Sequence, residues 1–216
     1  MPPPNELELR QSLIDHARRM NAAGINQGTS GNVSARAPGD GFLITPSALA
    51  YESMKPEDVV AMSWDGAPRG GRSPSTEWRI HRDIYRARAD AGAIVHAHAM
   101  FATTLSCLDR AIPSFHYMVA VAGGPDIRCA PYATFGTQAL SDRALEALDG
   151  RKACLLSHHG MIAFSETLTD AFALAVEVET LSAMYWRTLQ VGEPSLLPES
   201  EMRAVLAKFE TYRAGR

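Results

Sequence analysis

Cysteine is scarce in this sequence: Cys107, Cys129 and Cys154 are the three present in 216 residues. Their odd number and wide spacing argue against a disulfide framework or a zinc ribbon, so they read as buried or idle thiols of a reducing cytoplasm. No apolar run is long enough to span a bilayer, and no membrane partner is expected. The opening MPPPNELELRQ lacks the charged-then-apolar layout of a signal peptide, which again predicts a cytoplasmic protein. Basic runs are missing too. Lys and Arg number 21 against 24 Asp and Glu, a net charge of −3, and no nucleic acid partner is expected. There is no internal repeat, low-complexity segment or interdomain linker. The Gly-rich segment Asn26–Asn32 has neither the G-x-G-x-x-G pattern nor the Lys of a Walker loop, and it follows a helix rather than a strand. That excludes a dinucleotide fold of the Rossmann kind. What remains is an ordinary globular composition, 46% hydrophobic and 21% charged. It suits one domain over residues 1–216, with a mobile tail expected from about residue 210.

Periodicity predicts a mixed order of elements. Leu9, Leu13, Ile14, Ala17 and Met20 give an amphipathic helix over 5–23, stopped at Gly24. Strands are predicted at 33–35, 42–45, 59–64, 94–98 and 153–156, with a loop over 67–74. Helices are predicted over 76–88 with Ser75 as N-cap, and over 101–108, 137–148, 168–188 and 199–209. Residues 112–135 are expected to hold two short strands around a Gly123-Gly124 turn. Strand runs broken by helices imply a mixed sheet with helices packed on it.

The chemistry concentrates in three segments: Ser75-Thr76-Glu77, Val95-His96-Ala97-His98 and Ser157-His158-His159-Gly160. Side chains alternate along a strand, so His96 and His98 point the same way. With Glu77 on the preceding helix and a His from the later segment, the set offers one carboxylate and three imidazoles to a divalent ion. Any one of these histidines alone is better read as a core or surface residue; the combination favours metal. His158 and His159 face opposite ways if extended, and spacing does not choose between them. His81, four residues after Glu77, is a rival ligand or simply its helical neighbour. His16 and His116 read as structural or surface residues.

A second constellation suits an oxyanion. Gly28-Thr29-Ser30-Gly31-Asn32 can turn backbone N–H groups and hydroxyls toward one anion. Ser75 and Thr76 stand at a helix start, and Thr45-Pro46-Ser47 adds hydroxyls after a strand. Each alone is a turn or a cap; together, beside a metal carboxylate, they imply a phosphate site. Tyr117 and Tyr212 are phenols that read, without other information, as half-buried packing residues.

The segments NQGTSGNVS, ITPS, PSTEWRIH, IVHAHAMFAT, IPSFHYMVAVAGG, CAPYATFGT and SHHGMIA together resemble the class II aldolase/adducin family, nearest its branch that cleaves L-fuculose 1-phosphate. The resemblance runs from the first helix to KFETY. It implies a three-layer α/β/α sandwich around a mixed, largely antiparallel sheet, and a homotetramer with interface active sites. It implies Zn2+, with Mn2+ or Co2+ as substitutes, held by Glu77, His96, His98 and His159. Thr29, Gly31, Asn32, Ser47, Ser75 and Thr76 would hold the phosphate of a small phosphorylated sugar. Tyr117 from a neighbouring subunit would protonate the aldehyde oxygen, and Tyr212 would close over a neighbour's site. The implied reaction is reversible cleavage of a ketose 1-phosphate to dihydroxyacetone phosphate and an aldehyde. Rival chemistries on the same platform are a pentulose-phosphate 4-epimerase, a methylthioribulose-phosphate dehydratase and a phosphorylated oxo-acid decarboxylase. The epimerase branch uses Asp in the region of Tyr117. An adducin-like, non-catalytic module fits poorly, because such domains lack the full His set. Two positions depart from the pattern: Ser47-Ala48 stands for Thr-Gly, and Ser30 for Ala.

Overall fold

The structure, a computed structural model, describes residues 5–214, with side chains through Thr211. Helix α1 (Glu6–Ala22) opens on a capping box in which Asn5 and Glu8 satisfy each other's backbone N–H groups. Its Leu13, Ile14, Ala17 and Met20 face inward and are fully buried. Strands β1 (Asn32–Arg36), β2 (Phe42–Ile44), β3 (Val60–Met62) and β4 (Pro68–Arg69) follow, then α2 (Trp78–Ala87), β5 (Ala93–Ala97) and α3 (Met100–Ser106). After a 3-10 helix at Tyr117–Ala122 come β6 (Cys129–Ala130), α4 (Gln138–Ala147), β7 (Ala153–Leu156), β8 (Gly160–Ser165), α5 (Leu168–Val191) and α6 (Glu199–Ala214).

The strands form one sheet of eight in the order β4-β3-β2-β1-β5-β8-β7-β6. Every pairing is antiparallel except β6 with β7. Alternation along β5 divides the interior in two. Ala93, Val95 and Ala97 join the core under α1, α3 and α5. Ile94 joins the core under α2 and α4, with Ile80, Ile84, Leu140 and Ala144. Helices therefore cover both faces of a mixed, mostly antiparallel sheet, and the expected α/β/α sandwich is present.

Several local expectations are corrected. Pro68–Arg69 is a short edge strand inside the expected loop; Pro is tolerated there because an edge residue needs no ladder N–H. Helix α2 starts two residues later than expected, so Glu77 is its N-cap residue rather than a first-turn residue, and Ser75 instead accepts a bond from the Glu77 N–H at 3.3 Å. Residues 112–135 do not make a hairpin at Gly123-Gly124. The 3-10 helix fills the middle and ends where Gly123 takes φ 93°, the flanking chain pairs antiparallel at the single bridge Ile112–Ile127, and β6 is the one strand there. Gly124 packs so closely on the Arg151 guanidinium that a Cβ would meet it at 2.2 Å. Strand β8 was not anticipated. It is central and buried on both faces, so Met161–Phe164 shows an unbroken apolar run rather than alternation. Helix α6 runs on to Ala214 through the region expected to be a tail.

Candidate metal centre

Three pieces of backbone place the site. Strand β5 carries His96, and His98 lies just beyond its end. Strand β1 pairs with it so that Asn32 stands opposite His96. Strand β8 pairs on its other side, with His96 opposite Ile162 and Ala97 opposite Met161. The link from β7 to β8 is a tight connection over Ser157, His158 and His159, with His158 at φ 52°. That left-handed residue turns the chain, so the two histidines are not an extended pair. His159 faces back toward β5, while His158 lies edge-on to Tyr132, ring centroids 6.2 Å apart.

Glu77, His96, His98 and His159 each direct one donor atom into a common centre, all within 4.8 Å of one another. His96 Nε2 is 3.0 Å from Glu77 Oε2 and 3.1 Å from His98 Nε2. The three imidazole rings stand nearly edge to face, with centroids 4.9 to 5.0 Å apart. His96 Nδ1 meets the Met161 carbonyl at 2.8 Å. A carbonyl only accepts, so Nδ1 bears a proton and Nε2 is the atom that faces the centre and would ligate a cation there. His159 Nε2 lies 3.0 Å from Glu77 Oε1 but off the line of a hydrogen bond, which leaves that buried oxygen without a donor. An orphaned carboxylate oxygen facing three imidazole nitrogens is what a cation would satisfy. The donor set of one oxygen and three nitrogens fits zinc or a similar borderline divalent ion.

Protonation follows from burial and neighbours. Burial alone would push the Glu77 carboxyl up, but the charge of His96 and the contacts with His159 and His96 hold it far below the usual range. Burial pulls His96 down, yet the adjacent Glu77 carboxylate overrides it and raises it. Burial, then the proximity of His96 and His159, lowers His98 to about 4, so it is a neutral donor at pH 7. His81 is lowered to about 3, mainly by complete burial.

A cavity of about 240 Å³ opens over the centre, lined by Ser30, Thr76, Glu77, His98, Tyr132, Ala133, Phe135, His158 and His159. Of the residues expected at a phosphate, Thr76 lines this cavity. Ser47 and Ser75 sit on backbone held side by side, Ser47 N–H donating to Ser73 O and Ser75 N–H to Thr45 O. Thr29 is exposed and Gly31 is buried against β5. Asn32 is buried, its amide donating to Glu77 Oε2 at 3.0 Å. Ala48, at one of the two departures from the family pattern, holds φ 54°, a conformation that suits Gly. Tyr117 is 48% exposed on the 3-10 helix and is not among the residues lining the cavity. The Tyr212 side chain lies outside the described residues. His81 is buried away from the cluster, His16 bonds the Ser12 carbonyl, and His116 Nδ1 accepts from the Met118 N–H. The apolar wall of Tyr132, Ala133 and Phe135 was not singled out from sequence, although Phe135 and Tyr132 are large aromatics in a Pro- and Gly-bounded loop, a usual sign of a binding loop.

A Glu and three His converging on an α/β/α platform form a group that could hold a metal ion. Family comparison agrees: the Class II Aldolase and Adducin N-terminal domain matches residues 11–186, and the chain belongs to that family. A 5-methylthioribulose-1-phosphate/5-deoxyribulose-1-phosphate aldolase of Rhodospirillum rubrum is 57% identical over 97% of this chain and 95% of its own. The L-fuculose phosphate aldolase of Escherichia coli K12 is 47% identical, covering 95% of each chain. A solved structure of an L-fuculose 1-phosphate aldolase superimposes with TM-score 0.91 at 39% identity, covering 94% of this chain and 96% of that one. Among the described residues, no helix is long and apolar enough to cross a membrane.

Proposed function

We propose that this protein is a divalent-metal-dependent aldolase that reversibly cleaves a ketose 1-phosphate to dihydroxyacetone phosphate and a small aldehyde. The observation that carries the reading is the convergence of Glu77, His96, His98 and His159 beneath one cavity. These four residues would hold the ion, zinc in the first instance. Bound there, it would supply an electrophilic centre for charge that develops on the substrate's ketone and hydroxyl oxygens. Thr29, Gly31, Asn32, Ser47, Ser75 and Thr76 are assigned to the phosphate end, which fixes the reacting carbon over the site. Glu77 is the one carboxylate in the cavity, and we assign it the proton at the carbon of dihydroxyacetone phosphate that forms the new bond. Tyr117, from an adjoining copy of a homotetramer, is assigned the proton on the aldehyde oxygen, and Tyr212 the closing of the site.

The aldehyde end meets Tyr132, Ala133 and Phe135, a wall suited to a short tail such as a methyl or methylthio group. With the 57% identical relative named for 5-methylthioribulose 1-phosphate and 5-deoxyribulose 1-phosphate, we take those two as the first substrates. L-Fuculose 1-phosphate is the second, on the 47% identical relative. The test is a panel of these three ketose phosphates with zinc-loaded protein, scoring released dihydroxyacetone phosphate. Glu77→Gln should abolish deuterium exchange into dihydroxyacetone phosphate. Full exchange in that variant would remove Glu77 from the base role, and release from none of the three would remove the aldolase reading.

A further inference from the structure

Beneath the metal centre, β1 and α2 run against each other with matching periods. Alternation along β1 points Asn32 and Ser34 at the helix, and the helical repeat points Glu77, His81 and Tyr85 back at the strand. The five side chains connect in a line. Asn32 Nδ2 to Glu77 Oε2 is 3.0 Å, Asn32 Oδ1 to His81 Nε2 is 2.6 Å, His81 Nδ1 to Ser34 Oγ is 2.6 Å, and Ser34 Oγ to Tyr85 OH is 2.7 Å. All five residues are buried; Ser34 and His81 have no exposed surface. Phe42, Ile80, Ile84 and Ile94 belong to the same core, and the Arg36 guanidinium lies over the Tyr85 ring, 5.0 Å from its centroid. A polar line through such a core is costly unless every member is satisfied.

The chemistry of the groups sets the direction of every bond. A carboxylate only accepts, so the Asn32 NH2 faces Glu77 and the amide oxygen faces His81. His81 Nε2 must then carry the proton. If Nδ1 carried one as well, Ser34 Oγ would accept from it, and either the Ser34 or the Tyr85 O–H would be left buried with no acceptor among the described residues. The order that satisfies all of them runs Tyr85 O–H to Ser34, Ser34 O–H to His81 Nδ1, His81 Nε2–H to Asn32, and Asn32 N–H to Glu77.

We propose that Tyr85, Ser34 and His81 form a one-way donor relay that locks Asn32 against Glu77, making His81 a positioning residue for the carboxylate. This rests on the aldolase reading for its kinetic consequence, but not for its effect on metal binding. A carboxylate that serves both as ligand and as base has to return to the same place each turnover. The relay gives Oε2 a fixed donor that does not depend on the cation. With His81 removed, the Asn32 oxygen loses its partner, the amide is free to rotate, and Glu77 loses its anchor.

The test compares His81→Leu with His81→Gln, whose side-chain amide can still donate to Asn32 and accept from Ser34. His81→Leu should lose about 10- to 100-fold in both zinc affinity and kcat, with KM for the ketose phosphate changed less than about twofold. His81→Gln should recover most of both. Ser34→Ala and Tyr85→Phe, which each delete one hydroxyl, should show losses that diminish with distance from Glu77, and they decide the matter should His81→Leu not fold. Nitrogen-15 NMR of His-labelled protein should show His81 protonated at Nε2 alone, with zinc and without it. Protonation at Nδ1 overturns the relay whatever the activity, as does an equal loss in the Leu and Gln variants or a Leu variant with unchanged zinc affinity. If wild type cleaves no ketose phosphate, the aldolase reading fails, and the zinc affinities and the tautomer still decide the relay.

Discussion

Gly31 is where the fold and the site press on the same atoms, and Gly31→Ala puts that to a quantitative test. Its φ is not left-handed, so the backbone accepts alanine without strain. Space does not: a Cβ there would lie 2.6 Å from the His96 carbonyl oxygen and 2.7 Å from Asn26 Oδ1. The Asn26 amide can turn, at the expense of its bond to Ser30 Oγ at 3.0 Å. The His96 carbonyl cannot, because it belongs to β5, which is hydrogen-bonded to β1 and β8. Ordinary contact begins near 3.4 Å, so β5 must retreat from β1 by roughly 0.8 Å at His96. Overpacking of this size costs about 1–3 kcal/mol, a fall in Tm of roughly 3–9 °C for a chain of this length. The same displacement moves the His96 imidazole by a large fraction of an ångström, and misplacement on that scale costs about 100-fold in rate. Scanning calorimetry, zinc titration and dihydroxyacetone phosphate release measure the three effects. Gly39→Ala is the control, since a Cβ at Gly39 meets nothing within 4 Å. A Gly31→Ala variant with the Tm, zinc affinity and kcat of wild type would refute the account of how β1 holds β5.

Three further outcomes are expected. Ala48→Gly relieves a left-handed alanine at φ 54° and should raise stability by about 0.5–1 kcal/mol after the extra freedom of glycine in the unfolded chain, read by denaturant midpoint; a loss above about 1 kcal/mol would contradict it. Phe164→Ala empties a fully buried position on β8 under the Arg88 guanidinium and should cost about 3–5 kcal/mol by urea unfolding, whereas a cost under about 1 kcal/mol would mean β8 is not a central strand. His81 is lowered from 6.5 to about 3 by burial, so the unfolded chain binds its proton first as pH falls. Its contribution to stability is full above pH 6.5 and fades on acidification toward pH 3, by roughly 1 kcal/mol per pH unit. Metal-free wild type should therefore lose stability faster than metal-free His81→Gln between pH 6 and pH 4, by about that slope; parallel curves would exclude it.

Much of the site was written in local pattern. The alternation of a strand is enough to put His96 and His98 on one side, and their Nε2 atoms do stand 3.1 Å apart. The first helix was equally plain, since Leu13, Ile14, Ala17 and Met20 repeat at helical spacing behind an Asn5–Glu8 capping box. Strand β8 was hidden for a physical reason: a strand buried on both faces loses alternation, and four apolar residues after a turn carry no period of their own. The choice between His158 and His159 was closed to local reasoning because neither is extended; a φ of 52° at His158 sets the direction of both.

By itself, the sequence determined which chemical groups this protein can bring to bear: a carboxylate, imidazoles at strand spacing, and hydroxyls with glycines near a helix start. Tertiary structure alone decided which of them meet. Glu77 reaches the histidines because α2 lies across β1, and His81 serves Asn32 rather than a metal because the repeat of a helix and the alternation of a strand fall into step there. Such coincidences depend on packing between elements far apart in the chain, and no local pattern carries that distance.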